Sequence, residues 1–124
     1  ARVQAFDTDT FDRLAEVKTG GVPIRVAASP DGKWIVTSNL GAGGLTIIDA
    51  QTRNHVREIA LSGSEEAGQV TILFSPDGSK LYAAETGRDT IAEVDMASGA
   101  VLRRLPAGKN GDGLAIAGQK QRRD

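Results

Sequence analysis

Ser29-Pro30-Asp31-Gly32 and Ser75-Pro76-Asp77-Gly78 are the same tetrapeptide, and each is followed, twenty residues after its serine and without a gap, by an aspartate, Asp49 and Asp95. A shared offset of that length marks an internal repeat, and a period of roughly 20 to 50 residues decides the fold before any other feature. In each tetrapeptide Pro fixes φ, Asp bonds its own backbone and Gly takes a left-handed position. That is turn chemistry between two strands.

The segments between these anchors align. Trp34-Ile35-Val36-Thr37 matches Lys80-Leu81-Tyr82-Ala83, and Thr46-Ile47-Ile48-Asp49 matches Ala92-Glu93-Val94-Asp95. Their β-branched and aromatic residues predict strands. After each aspartate comes a second polar turn, residues 50–54 and 96–99, and then an alternating strand, Val56-Arg57-Glu58-Ile59 or Val101-Leu102-Arg103-Arg104-Leu105.

Naming the strands A to D, residues 23–62 and 69–107 are two full four-stranded meanders. Residues 1–20 enter at mid-repeat: residues 3–7 match strand C, residues 8–11 the turn, and residues 13–17 strand D, so that Gly20 follows Asp7 by thirteen residues as Gly108 follows Asp95. Residues 113–117 align with strand A of a further unit, without its Pro-Asp-Gly turn. The expectation is an all-β protein, one domain over residues 1–124, with the array C-D, A-B-C-D, A-B-C-D, A.

The run from Val26 through Ser29-Pro30-Asp31-Gly32-Lys33 to Ile35-Val36-Thr37-Ser38-Asn39, closing on Thr46-Ile47-Ile48-Asp49, resembles the YVTN-type β-propeller repeat, and residues 3–117 fit that template. The resemblance implies a propeller of four-stranded blades and, by the company such propellers keep, a periplasmic or secreted location. It does not fix chemistry, because the fold serves quinone-bearing amine dehydrogenases, haem-binding reductase domains and surface-layer modules alike. The second repeat also carries Glu85 where the first has Asn39.

Propellers remove their open sheet edges by closing a ring of typically about four to eight blades. Two full blades and three strands do not close one, and the polar residues 118–124 make a poor strand B. The expected partners are therefore the remaining blades of a longer propeller, a protein chain that fills the gap or, ranked lower, a second copy completing the ring.

In this topology the B-C and D-A connections share one face, where converging loops make concavities. Candidate ligand-binding residues there are Arg25, Asn39, Glu65, Glu66, Glu85, Arg88, Asp89, Lys109 and Asp112. By the repeat offset, 46 residues from Asp49 to Asp95 against 42 from Asp7 to Asp49, the connection around 62–68 is about four residues longer than the one around 19–23, and Glu65 and Glu66 within it offer carboxylates to a cation or a channel, with a solvated loop as the plainer reading. Asn39, Glu85 and Asp112 supply oxygens of the kind a Ca²⁺-dependent propeller hydrolase uses, with turn capping the default.

Gly41-Ala42-Gly43-Gly44 opens no helix and so lacks the dipole of a phosphate cradle. His55 is the sole histidine and stands without companions, which favours a surface role. Trp34 is read as core or rim packing, and Asp7, Asp49 and Asp95 as turn aspartates. No nucleophile, base and orienter can be assembled, and no catalytic residue, metal site or cofactor is assigned.

With 15 Lys and Arg against 16 Asp and Glu, and 4% aromatic residues, the chain has neither the field nor the stacking surface for nucleic acid or an anionic membrane. It has no cysteine, which excludes disulfides and thiolate sites. No apolar run approaches the roughly 18 residues of a spanning helix, residues 1–4 lack the n-region and apolar h-region of a signal peptide, and the basic residues 120–123 read as a solvated end. The expected function is a non-catalytic binding or scaffold module. The alternative is part of a periplasmic redox or Ca²⁺-dependent hydrolytic propeller whose site lies in other blades.

Overall fold

A computed structural model describes residues 1–61 and 68–117, apart from the side chains of Gln69 and Val70. Glu65, Glu66 and residues 118–124 fall outside the described residues. The described residues form ten strands: β1 (Arg2–Phe6), β2 (Arg13–Lys18), β3 (Val22–Ala28), β4 (Trp34–Leu40), β5 (Gly44–Asp49), β6 (His55–Ala60), β7 (Gln69–Phe74), β8 (Lys80–Glu85), β9 (Thr90–Asp95) and β10 (Val101–Pro106). They pair as an antiparallel hairpin, β1-β2, and two meanders, β3-β4-β5-β6 and β7-β8-β9-β10.

The register follows the repeat. Val36 pairs with Ile47 and Trp34 with Asp49 in the first sheet, while Tyr82 pairs with Glu93 and Lys80 with Asp95 in the second. Every one of these positions is displaced by 46, the distance from Ser29 to Ser75, and Asp7 precedes Asp49 by 42.

The turns repeat their serine contacts. Ser29 Oγ donates to Asp31 Oδ1 at 2.6 Å and accepts from the Trp34 amide at 2.9 Å, and Ser75 Oγ does the same with Asp77 (2.8 Å) and Lys80 (3.0 Å). Gly32 and Gly78 both sit at φ 76°, a conformation that costs a residue with a Cβ. Asp7, Asp49 and Asp95 each accept amides two or three residues ahead, and the left-handed residues that close these turns are Phe11, Arg53 and Gly99.

The core lies between the two meanders. Val36, Leu45, Ile47 and Ile59 of the first sheet meet Ile72, Phe74, Leu81, Ala92 and Val94 of the second, and Trp34 packs partly buried at its margin. Inner strand β7 lies against β3 and β4 of the preceding sheet. Full burial of each branched aliphatic residue here contributes about 1.5–3 kcal/mol, so this seam is the main cohesion between the sheets.

Two expectations need correction. Residues 113–117 join no ladder among the described residues. They run over the second sheet instead, where Leu114, Ala115 and Ile116 face Leu73, Tyr82, Ile91 and Leu105 across a cavity of about 300 Å³. This is the relation β7 bears to the first sheet, but a strand needs a hydrogen-bonding neighbour, and none lies beside this segment among the described residues. Asn39, expected on the loop face, and Gly44 also lie within strands, β4 and β5, so the B-C connection between them is short.

Candidate functional site

At the B-C and D-A end of the second sheet, two connections are tied together. The Asn110 amide donates to Asp89 Oδ1 at 2.7 Å, Thr86 Oγ1 to the Gly111 carbonyl at 2.8 Å, and Thr71 Oγ1 to Asp112 Oδ1 at 3.0 Å. Asp89 is left-handed at φ 57° after a short 3₁₀ turn (Thr86–Arg88), and an aspartate tolerates that conformation better than most residues. Asp89 thus holds the backbone of the other connection, and Asp112 is held by a hydroxyl of β7.

Arg88 and Lys109 are exposed on these two connections, and Arg25 is exposed on β3 toward the same end. None of the ion pairs among the described residues includes them. Beneath the tie lies a cavity of about 180 Å³ lined by Ala84, Asp89, Ile91, Ala107, Gly108 and Gly111.

Asn39 and Glu85 occupy equivalent positions, but both are buried, at 1% and 0% exposure, rather than displayed on a loop. They continue the inward faces of their strands, with Thr37 and Ala83 two residues earlier. Asn39 Oδ1 accepts from Thr37 Oγ1 at 2.9 Å, and its amide donates to Thr46 Oγ1 at 2.8 Å. Thr46 bonds in turn to the Glu58 carboxylate at 2.8 Å, and Glu58 also meets His55 Nε2 at 2.9 Å.

In the second sheet Glu85 Oε1 accepts from Thr90 Oγ1 at 3.0 Å and from Arg104 Nε at 2.8 Å. Arg104 Nη2 reaches across to the Leu61 carbonyl of the first sheet at 2.8 Å. Glu85 Oε2 is buried with no hydrogen-bond partner among the described residues. Both residues thus serve as polar locks at the seams, which a reading of them as loop residues missed. The alternation Ile35, Thr37, Asn39 carries the signal that would have found it.

The sequence also concealed a triad on the far face of the second sheet. Tyr82 OH donates to Glu93 Oε2 at 2.8 Å, and the Arg103 guanidinium grips both Glu93 oxygens at 3.1 and 3.3 Å. Arg103 above all, and then Tyr82, holds the Glu93 carboxyl below its ordinary range. Glu93 conversely raises the Tyr82 hydroxyl. Arg57, equivalent to Arg103, instead donates to the Ser98 carbonyl at 3.0 Å and clasps the second sheet to the first.

Among the described residues, no three His, Asp or Glu side chains converge as a metal site, and no helix is long and apolar enough to cross a membrane.

These sheets, with inner strand β7 lying on the sheet before it, have the β-propeller fold. The hydrazine synthase of Kuenenia stuttgartiensis is similar at TM-score 0.66 and 24% identity, covering 85% of this chain and 28% of the other. The dihydro-heme d1 dehydrogenase NirN, in complex with DHE, is similar at TM-score 0.67 and 19% identity, over 83% of this chain and 23% of that one. U3-55K is similar at TM-score 0.75 and 13% identity, over 86% and 33%. The chain therefore spans a third or less of each of these structures. No protein-family model matches it, and no curated protein does.

Proposed function

We propose that this chain is part of a non-catalytic, YVTN-type propeller that acts as a binding scaffold and receives a protein partner on the face made by its B-C and D-A connections. The observation that carries this reading is the tied pair of connections at Asp89, Asn110, Thr86 and Gly111. Such a tie engages Asp89 and Asp112 in hydrogen bonds, while the exposed Arg25, Arg88 and Lys109 enter no ion pair among the described residues. Pre-ordered loops reduce the entropy lost on association.

The cavity beneath the tie, about 180 Å³, is smaller than the roughly 300–1,000 Å³ of typical small-molecule pockets. A partner that reads the surface fits this face better than a small ligand, and exposed cations favour an acidic one. A periplasmic or secreted setting accompanies the proposal, as does completion of the ring by further blades.

A second reading draws on two of the similar structures, a hydrazine synthase and a dihydro-heme d1 dehydrogenase. On that reading the chain belongs to a redox propeller whose reactive centre lies in other blades. A Ca²⁺-dependent hydrolase is the related variant.

The two readings separate experimentally in the full-length protein. The scaffold reading expects no haem absorbance and no Ca²⁺-dependent ester or lactone hydrolysis. It also expects partner retention that is lost in the R25E/R88E/K109E variant. Haem binding or turnover that survives those three substitutions would overturn it.

A further inference from the structure

The connection after β10 carries a reactivity that the tie restrains. Of the three asparagines, Asn39 is buried, has both ends of its amide bonded and precedes Leu40, while Asn54 precedes His55. Asn110 alone precedes a glycine. It is exposed, and its side chain enters no hydrogen bond among the described residues. Because Gly111 has no Cβ, its nitrogen is the least hindered main-chain nucleophile an asparagine carboxamide can meet.

The fold decides whether the two groups do meet. The Gly111 amide donates to the Gly108 carbonyl at 3.2 Å, which closes a turn with Lys109 and Asn110 at its centre. Asn110 sits at φ 55° and Lys109 is not left-handed, so the turn is of type II, which sets ψ of Asn110 at about 0°. At that torsion the Gly111 nitrogen eclipses the main-chain nitrogen of Asn110 and stands about a third of a revolution from its Cβ. A five-membered ring through Asn110 Cγ needs the Gly111 nitrogen on the Cβ side, and the rotation that brings it there opens the turn. Two bonds of the tie oppose that rotation: Asp89 Oδ1 holds the Asn110 amide at 2.7 Å, and Thr86 Oγ1 holds the Gly111 carbonyl at 2.8 Å.

We infer that Asn110 is a self-modification site gated by the tie, unreactive while Asp89 and Thr86 hold the turn and converted to isoaspartate or aspartate once they release it. In that step the Gly111 nitrogen bonds to Asn110 Cγ and the Cγ–Nδ2 bond breaks. Ammonia leaves with the proton that the Gly111 amide gives up. Water then opens the cyclic imide at either carbonyl. The net change is a gain of water and a loss of ammonia, with no oxidant or cofactor.

Conversion also keeps the tie from reforming. The new carboxylate adjoins the Asp89 carboxylate that the amide of residue 110 must reach, and like charges repel. Isoaspartate adds a main-chain carbon as well, which moves that amide out of the turn. The step is a one-way latch. Its effect on an acidic partner, a weaker hold because a negative charge joins Arg88 and Lys109, rests on the scaffold reading, whereas the latch itself does not.

The test ages the full-length protein at mildly alkaline pH and follows the segment around Asn110 by peptide mass spectrometry, with a synthetic peptide of residues 105–115 as the untied reference. The folded parent should convert about tenfold or more slowly than the peptide. Thr86→Val and Asp89→Gly each remove one hydrogen bond of the tie, and glycine accommodates the φ of 57° at that position. Each should speed conversion about fivefold. Arg57→Ala weakens the seam between the sheets but not the tie and should leave the rate unchanged, which separates local release from global unfolding. In the converted protein, isolated by anion exchange, the amides of residue 110 and Gly111 should exchange hydrogen faster than in the parent.

Three outcomes overturn the inference: a parent that converts at the rate of the peptide, tie variants that convert no faster than the parent, or a converted protein whose amides at 110 and 111 remain as protected as before. Partner retention enters none of these measurements, so the scaffold reading fails separately.

Discussion

Glu85 Oε1 accepts a 2.8 Å hydrogen bond from Arg104 Nε where the preceding sheet has Asn39 and Glu58. The two seams solve the same problem with opposite charge placement. In the first the carboxylate stands on the outer strand and a neutral amide lies inside, linked by Thr46. In the second the carboxylate lies inside, the cation stands outside, and Ala92 replaces the threonine. The change at one position requires the change at the other, because a buried carboxylate without a partner is strongly destabilising.

Arg104→Ala is therefore expected to destabilise the chain by about 3 kcal/mol, near the low end for a broken buried pair because Arg104 keeps partial solvent contact. Arg104→Glu should cost more, by setting two carboxylates together. Transplanting the whole first-seam set, E85N/A92T/R104E, should recover most of that loss. Urea denaturation of the three variants measures it, and a triple variant no more stable than Arg104→Glu alone would show that the positions are not coupled.

The seam also depends on Arg57. Its guanidinium reaches the Ser98 carbonyl at 3.0 Å, and a Cβ on Gly99 would come within 2.9 Å of Arg57 Nη1. Gly99 sits at φ 75°. Arg57→Ala should cost about 1 kcal/mol, the worth of one hydrogen bond. Gly99→Ala should cost more than the ordinary roughly 1 kcal/mol of a glycine turn position, because it adds backbone strain to loss of the clasp. In a double-mutant cycle the two losses should sum to more than the double variant shows.

Gly44 is constrained by space rather than by φ. A Cβ there would stand 2.6 Å from the Ile59 carbonyl oxygen on the neighbouring strand. Gly44→Ala should destabilise by about 1–3 kcal/mol, the usual range for overpacking, although alanine is otherwise no worse than glycine in a strand. Thermal denaturation tests this, and an unchanged or raised midpoint would show that β5 and β6 can part locally.

The fold was legible because it resides in the turns. Pro, Asp and Gly at fixed spacing leave few conformations, and the 46-residue displacement of Ser29, Asp31 and Asp49 carries register with it. The site was less legible, because burial of a polar residue is decided by what packs over it from another sheet. Asn39 and Glu85 look like loop-edge ligands when strand B is ended at Thr37 and Ala83. They become buried locks once the strands run on to Leu40 and Glu85. The Glu93–Arg103–Tyr82 triad was hidden for a similar reason, since its members meet only after three strands have been set side by side.

The two Ser-Pro-Asp-Gly turns differ in one residue that chemistry can read. Asp77 accepts from the Ser79 amide at 2.9 Å, the Ser79 hydroxyl at 2.7 Å and the Ser75 hydroxyl at 2.8 Å, which together lower its carboxyl from 3.8 to about 2. Asp31 is also lowered, by the Ser29 hydroxyl and the Lys33 amide, but Lys33 offers no hydroxyl where Ser79 does. The folded state thus binds the Asp77 proton less readily than the unfolded chain. The stability Asp77 lends is complete above its unfolded value near 3.8 and lost as pH falls through about 2. A carboxyl-carbon NMR titration should place the Asp77 midpoint near 2 and Asp31 above it. Asp77→Asn should narrow its stability deficit against the parent chain as the pH drops across that window. An Asp77 midpoint at the ordinary carboxylate value, or a deficit that stays constant with pH, would show that the turn does not hold its charge in this way.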